Sequence, residues 1–213
     1  MIFDLDGTLI DSRLDLAHSV NATRAHLGLG PITNEEVYRY VGHGAPELIR
    51  RSLGGFGGDA AVVAGTGYFL DYYREHVLDC TTLFPGVKEA VERLHAAGRK
   101  MAVLTNKPEA MSRTIVKGLG LGDFFIRVYG GESLPERKPH PLGVETLMRE
   151  AGATRTNTVM VGDSSVDVIT ARNAGIPCCA VTYGFQPETL ADPVPDVLFD
   201  RMEQVAEWIL SRE

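Results

Sequence analysis

Three short apolar runs, Ile2-Phe3, Met101-Ala102-Val103-Leu104 and Thr158-Val159-Met160-Val161, each pass straight into polar residues. Unbroken apolar runs this short are the pattern of strands buried on both faces, and such strands belong to parallel sheets covered by helices. Ile126 to Tyr129, Cys178 to Thr182 and Val197 to Phe199 read as further strands. Helical patterns separate them: Val87 to Ala97, a segment opened near Pro108, Pro141 to Ala151, Val166 to Ala174, and a closing Met202 to Leu210. Gly98 and Gly175 stop two of these helices. The alternation predicts an α/β fold with a Rossmann-like parallel sheet.

One stretch breaks the alternation. Apolar residues from 14 to about 80 recur at helical spacing (Leu16, Val20, Leu27; Val37, Val41, Leu48; Phe69, Tyr73, Val77), with breakers at Gly28-Leu29-Gly30-Pro31 and Gly54 to Gly58. The expectation is a core of residues 1–14 and 81–213 carrying a helical cap at 15–80. A chain of 213 residues has room for both.

A formal net charge of −7 argues against a nucleic-acid partner, which favours a basic face. No apolar run approaches the ~18 residues that cross a bilayer, so no membrane association is expected, and the start lacks the pattern of a secretion signal. Three cysteines, Cys80, Cys178 and Cys179, make a poor disulfide framework, because adjacent strand residues face opposite ways. Reduced thiols in the cytoplasm are expected. With only Ile2 and Phe3 between Met1 and the first acid, the first strand reads as short, and a few residues are expected to precede Met1.

The polar ends of the strands carry the chemistry. If the first strand runs on through Asp4-Leu5-Asp6, period-2 alternation points Asp4 and Asp6 the same way, and Gly7-Thr8 turns the chain. Two crowded carboxylates repel one another and need a cation or a shared task. The second strand ends in Thr105-Asn106-Lys107 and the third in Gly162-Asp163-Ser164-Ser165-Val166-Asp167; between them lies Lys138, beside Pro139 and Pro141, which stiffen the segment and hinder a helix around it. Ligands of open α/β sheets bind beyond the carboxyl ends of strands, so one edge would gather four carboxylates, a hydroxyl and an ammonium. Taken singly, Thr105 reads as an ordinary strand-end residue, Asp167 as a helix cap and Lys107 as a solvated lysine. Gly118 to Gly122 follows a helix and reads as its C-terminal turn rather than a nucleotide loop.

In this combination the chain resembles the haloacid dehalogenase superfamily of phosphotransferases over essentially its whole length. Asp4-Leu5-Asp6-Gly7-Thr8, Thr105, Lys138 and Gly162-Asp163 with Asp167 look like its four motifs, in order. The insert looks like its α-helical C1-type cap. The resemblance implies Asp4 as nucleophile, forming an aspartyl-phosphate, and Asp6 as general acid and base. It implies Thr105, Asn106 and Lys138 around the phosphoryl group. It also implies Mg²⁺ held by Asp4, the Asp6 carbonyl and Asp163, with Asp167 acting through water or a further hydrogen bond.

Asp6 separates the chain from the dehalogenases, which have no alkoxide to protonate, and the lack of lysine from Leu14 to Thr81 argues against a phosphonoacetaldehyde hydrolase. Asp4 to Ser12, Val41-Gly42-His43-Gly44-Ala45, Val103 to Pro108, Lys138-Pro139-His140-Pro141 and Thr182-Tyr183-Gly184 are similar to stretches of phosphoglycolate phosphatases. A small phosphomonoester, 2-phosphoglycolate first, is therefore the expected substrate, with Arg13, His18, His43, Arg50 and Arg51 as candidates for its carboxylate. Another small phosphate (a sugar phosphate, nucleotide or pyrophosphate) and a β-phosphoglucomutase-like phosphotransfer remain open. A binding module without activity is the reading from a different class, but Asp4, Asp6 and Asp163 are all in place. A monomer or homodimer is expected.

Overall fold

The computed structural model describes residues 1–212. In chain order the elements are β1 (Ile2–Phe3), β2 (Ile10–Asp11), α1 (Arg13–His26), α2 (Asn34–Tyr38), α3 (Ala45–Leu53), α4 (Gly58–His76), β3 (Thr82–Leu83), α5 (Val87–Ala96), β4 (Met101–Leu104), α6 (Glu109–Gly118), β5 (Phe125–Tyr129), α7 (Leu142–Ala151), β6 (Met160–Gly162), α8 (Ser165–Ala174), β7 (Cys178–Val181), β8 (Val197–Phe199) and α9 (Met202–Leu210). Six strands form one sheet in the order β5-β4-β1-β6-β7-β8, and every pairing is parallel.

The period-2 pleat sorts the strand residues onto two faces. Phe3, Val103, Val161 and Cys179 share a core with Val91 of α5, Ile115 of α6 and Val205 of α9. Their neighbours Ile2, Ala102, Met160 and Cys178 share another with Leu147 of α7 and Ala171 of α8. With both faces covered, the strands have no polar side to show, which explains their unbroken apolar sequences. Cys178 and Cys179 fall in different cores, and all three cysteines are free. No described helix is long and apolar enough to cross a membrane.

The helical insert, α1 to α4, leaves and rejoins the sheet through a two-stranded antiparallel ribbon, Ile10 to Leu83 and Asp11 to Thr82. Strands of two residues are too short for a periodic signal, and sequence reading missed them. Buried Asp15 ties the junction together: its carboxylate accepts from the amides of Cys80 (2.9 and 3.0 Å) and Thr81 (2.8 Å) and from the Thr81 hydroxyl (2.7 Å). Chain order reverses on either side of β1, which lies between β4 and β6. That reversal opens the crevice where an open α/β sheet takes its ligand.

Candidate active site

The first strand stops at Phe3, earlier than the sequence suggests. The Leu5 carbonyl accepts from the amides of Thr8, Leu9 and Ile10, while Gly7, at φ 83°, donates to the Ile10 carbonyl. The chain turns instead of extending, so simple alternation does not set the direction of Asp4 and Asp6. Each acid instead meets its own lysine, although both line one cleft.

Asp4 Oδ1 accepts from the Leu5 amide at 2.7 Å and lies 2.9 Å from Lys138 Nζ. That ammonium also donates to Asp167 Oδ1 at 2.7 Å, and its side chain is 2% exposed. Asp167 Oδ2 in turn accepts from the amides of Asp163 and Ser164 (each 3.2 Å) and the Ser164 hydroxyl (2.9 Å), which caps α8. One carboxylate thus caps α8 and pairs with Lys138. Asp163 accepts from the Thr8 hydroxyl (3.0 Å) and the Phe185 amide (2.8 Å).

Carboxylate oxygens of Asp4, Asp163 and Asp167 lie within 4.8 Å of one another, all buried. Burial pushes the Asp4 carboxyl up to about 6; Lys138 opposes that rise and Asp167 adds to it. Burial, then Asp167 and Asp4, hold Asp163 well above the usual carboxylate range. Burial disfavours the Lys138 ammonium, but Asp167 and Asp4 outweigh it and keep the group charged. Three acids facing one ammonium leave an excess of negative charge out of water, a donor set suited to a hard divalent cation. Close backbone packing builds this cradle. A Cβ on Gly7 or Gly184 would fall 2.2 Å from the Asp163 side chain, and one on Gly162 would fall 2.2 Å from Asp167 Cγ.

Asp6 is held differently. Lys107 Nζ lies 2.9 and 3.1 Å from its two oxygens, and the Ser12 hydroxyl donates at 2.5 Å. Lys107 is not the solvated lysine its sequence position suggests: its side chain is 3% exposed, and its ammonium lies 4.6 Å from the ring centroid of Tyr73 on α4. A loop lysine gives no local sign of burial, because the residue that covers it comes from the insert. Burial disfavours its charge, but Asp6 and Tyr73 prevail and hold the ammonium above its ordinary value.

Thr105 is buried after β4, its amide donating to the Tyr129 carbonyl at 3.0 Å. Asn106 bridges core and insert, donating to the carbonyls of Lys138 and Gly42, each at 3.0 Å. Gln186, which sequence reading passed over, makes a second bridge from its side-chain amide to the Val41 carbonyl at 2.8 Å. Asp4, Asp6, Thr105, Asn106 and Asp163 line a cleft walled on the helical side by Leu16, Val41, Leu48, Phe69 and Tyr73. Arg13 and His43 are not among the lining residues. Arg13 is clasped by Asp11, with Nε 2.8 Å from Oδ1, and packs over Tyr38 and Phe185. His18 is exposed, and exposed Arg50 and Arg51 pair with Asp59 and Glu47.

Residues 1–181 match the family model of the haloacid dehalogenase-like hydrolases. A phosphoglycolate phosphatase of Rhodospirillum rubrum is 36% identical over 98% of this chain and 90% of its own length. One from Chromobacterium violaceum is 40% identical over 86% and 84%. The crystal structure of a predicted phosphoglycolate phosphatase from Haemophilus somnus superposes with a TM-score of 0.91 at 32% identity, covering 97% of this chain and 96% of that one. The chain belongs to the haloacid dehalogenase-like hydrolases and is an enzyme of the phosphomonoester hydrolase class.

Proposed function

We propose that the protein hydrolyses 2-phosphoglycolate to glycolate and phosphate through a phosphoryl group carried on Asp4. The observation that carries this reading is the buried cluster of Asp4, Asp163, Asp167 and Lys138 at the sheet's switch point, in a chain whose relatives bear the name of that activity. Mg²⁺ fits the donor set, with the Asp4 and Asp163 carboxylates and the Asp6 carbonyl to hold it; bound there, it would offset the repulsion between a carboxylate nucleophile and a phosphate dianion.

The chain's own groups do the rest. An Asp4 oxygen attacks phosphorus, and the ester P–O bond breaks. Asp6 gives its proton to the departing alkoxide and later takes one from the water that releases phosphate from Asp4. Lys138 keeps Asp4 ionised and adds positive charge beside the phosphoryl group, while the Thr105 hydroxyl and the backbone amide of Asn106 supply hydrogen bonds to its oxygens. Leu16, Leu48 and Phe69 of the insert keep water off the leaving side. Residues 15–80 act in this scheme as a cap over a core of 1–14 and 81–213. The free thiols suit a reducing compartment, the cytoplasm.

The test is a phosphate-release screen over small phosphomonoesters with Mg²⁺. The highest kcat/KM is expected for 2-phosphoglycolate, and a higher value for a sugar phosphate or nucleotide would replace it as substrate.

A further inference from the structure

A substrate of this kind presents two anions, the phosphate and a carboxylate one carbon beyond the ester oxygen. The strand-end cluster accounts for the first. On the other side of the cleft the walls are apolar (Leu16, Leu48, Phe69), and Lys107 is the one cationic residue that lines the cavity among the described residues. Lys138 is committed to Asp4 and Asp167, and Arg13, Arg50 and Arg51 are paired with acids outside the lining.

We infer that Lys107 recognises the anionic substituent on the leaving half of the substrate and so sets the preference for a carboxylate there. The inference rests on the substrate reading above and deepens it. Its support is position. Asp6 has to reach the ester oxygen to protonate it, and Lys107 Nζ sits 2.9 and 3.1 Å from the Asp6 oxygens. One more hydrogen bond from that ammonium covers whatever is attached one carbon past the ester oxygen. An ammonium has three protons; the ring of Tyr73 lies beside this one, 4.6 Å from its centroid, and the Tyr73 hydroxyl has no hydrogen-bond partner among the described residues, so a contact remains for an incoming oxygen. The apolar surroundings strengthen such a charge-assisted bond and make an uncharged substituent a poor substitute.

The experiment compares kcat/KM for 2-phosphoglycolate with that for 2-hydroxyethyl phosphate, which has the same chain length and a hydroxyl in place of the carboxylate. Both esters release an alkoxide and need the Asp6 proton, so a Lys107 that merely orients Asp6 affects them equally. Lys107→Met and Lys107→Gln are expected to lower the ratio of the two efficiencies by about 10- to 100-fold, mainly through KM for phosphoglycolate. Lys107→Arg is expected to hold the ratio within about threefold, since it keeps the charge. Taking the ratio on one preparation cancels any loss of folded enzyme. A ratio that stays within about twofold of wild type in the Met and Gln variants overturns the inference and leaves the substrate reading standing. A wild type that does not favour phosphoglycolate over 2-hydroxyethyl phosphate overturns the substrate reading, and the role of Lys107 with it.

Discussion

The two sides of the cleft are built on opposite principles. On the strand side, Asp4, Asp163, Asp167 and Lys138 are crowded into a buried cluster in which each charged group touches another group of the site or a backbone amide. On the helical side, Leu16, Leu48 and Phe69 bring surface without charge. The density of charge on the first side is costly to folding and is maintained only by mutual pairing, capping and close glycine contacts. The second side costs little and can be changed without touching the chemistry. A fold divided this way gathers its charge at the strand ends and leaves the shape of the facing wall to the insert. The two buried lysines mark the division: Lys138 pairs with Asp4 and Asp167, and Lys107 stands where strand end and insert meet.

Changes on the strand side are expected to be the most severe. Asp4→Asn removes the proposed nucleophile, and Mg²⁺-dependent phosphate release from any ester should fall to background; thorough chelation should do the same to the wild type. Turnover that survives either treatment would remove the strand side from the chemistry. Asp6→Asn should cost roughly 10²–10⁴-fold in kcat for alkyl phosphates. The loss should be much smaller for a nitrophenyl phosphate, whose leaving group needs no proton, and equal losses on both would deny Asp6 its acid role. Gly184→Ala would drive a methyl into Asp163, 2.2 Å from its Cβ. A misplacement on the ångström scale can cost ~10²-fold, to be read as kcat with circular dichroism as the control for folding.

The strand side was also the legible one. Parallel strands buried on both faces write themselves as unbroken apolar runs, and the residues just past them must be polar, so Asp4, Thr105 and Asp163 stand out by position. Lys138 stands out because prolines keep it off a helix. What could not be read depends on distant packing. Lys107 looks like any loop lysine until Tyr73, thirty-four positions earlier, covers it. The bend at Leu5 comes from one carbonyl gathering three amides, a pattern that the alternation of side chains does not encode. The arginines and histidines of the insert were singled out by residue type alone, and type says nothing of which helix face a residue occupies.

Arg13 carries that last point into an experiment with a small expected effect. By residue type it is the natural partner for a substrate carboxylate, and it stands at the first position of α1, close in sequence to Asp6 and Ser12. Yet its guanidinium is held by Asp11, whose carboxyl sits below the usual range: burial opposes this, but the hydrogen bonds and charge of Arg13 outweigh it. The group also packs over the rings of Tyr38 and Phe185, 5.5 Å from each centroid. A partly exposed pair of this kind contributes at most about 1 kcal/mol. Arg13→Gln should therefore lower thermal stability slightly and leave KM for 2-phosphoglycolate within about threefold of wild type, since changes at exposed positions away from a site are near neutral. A KM raised tenfold or more, with kcat preserved, would mean that Arg13 swings from Asp11 into the cleft when substrate binds, and the helical side would then add a cation to the one that Lys107 brings from the strand end.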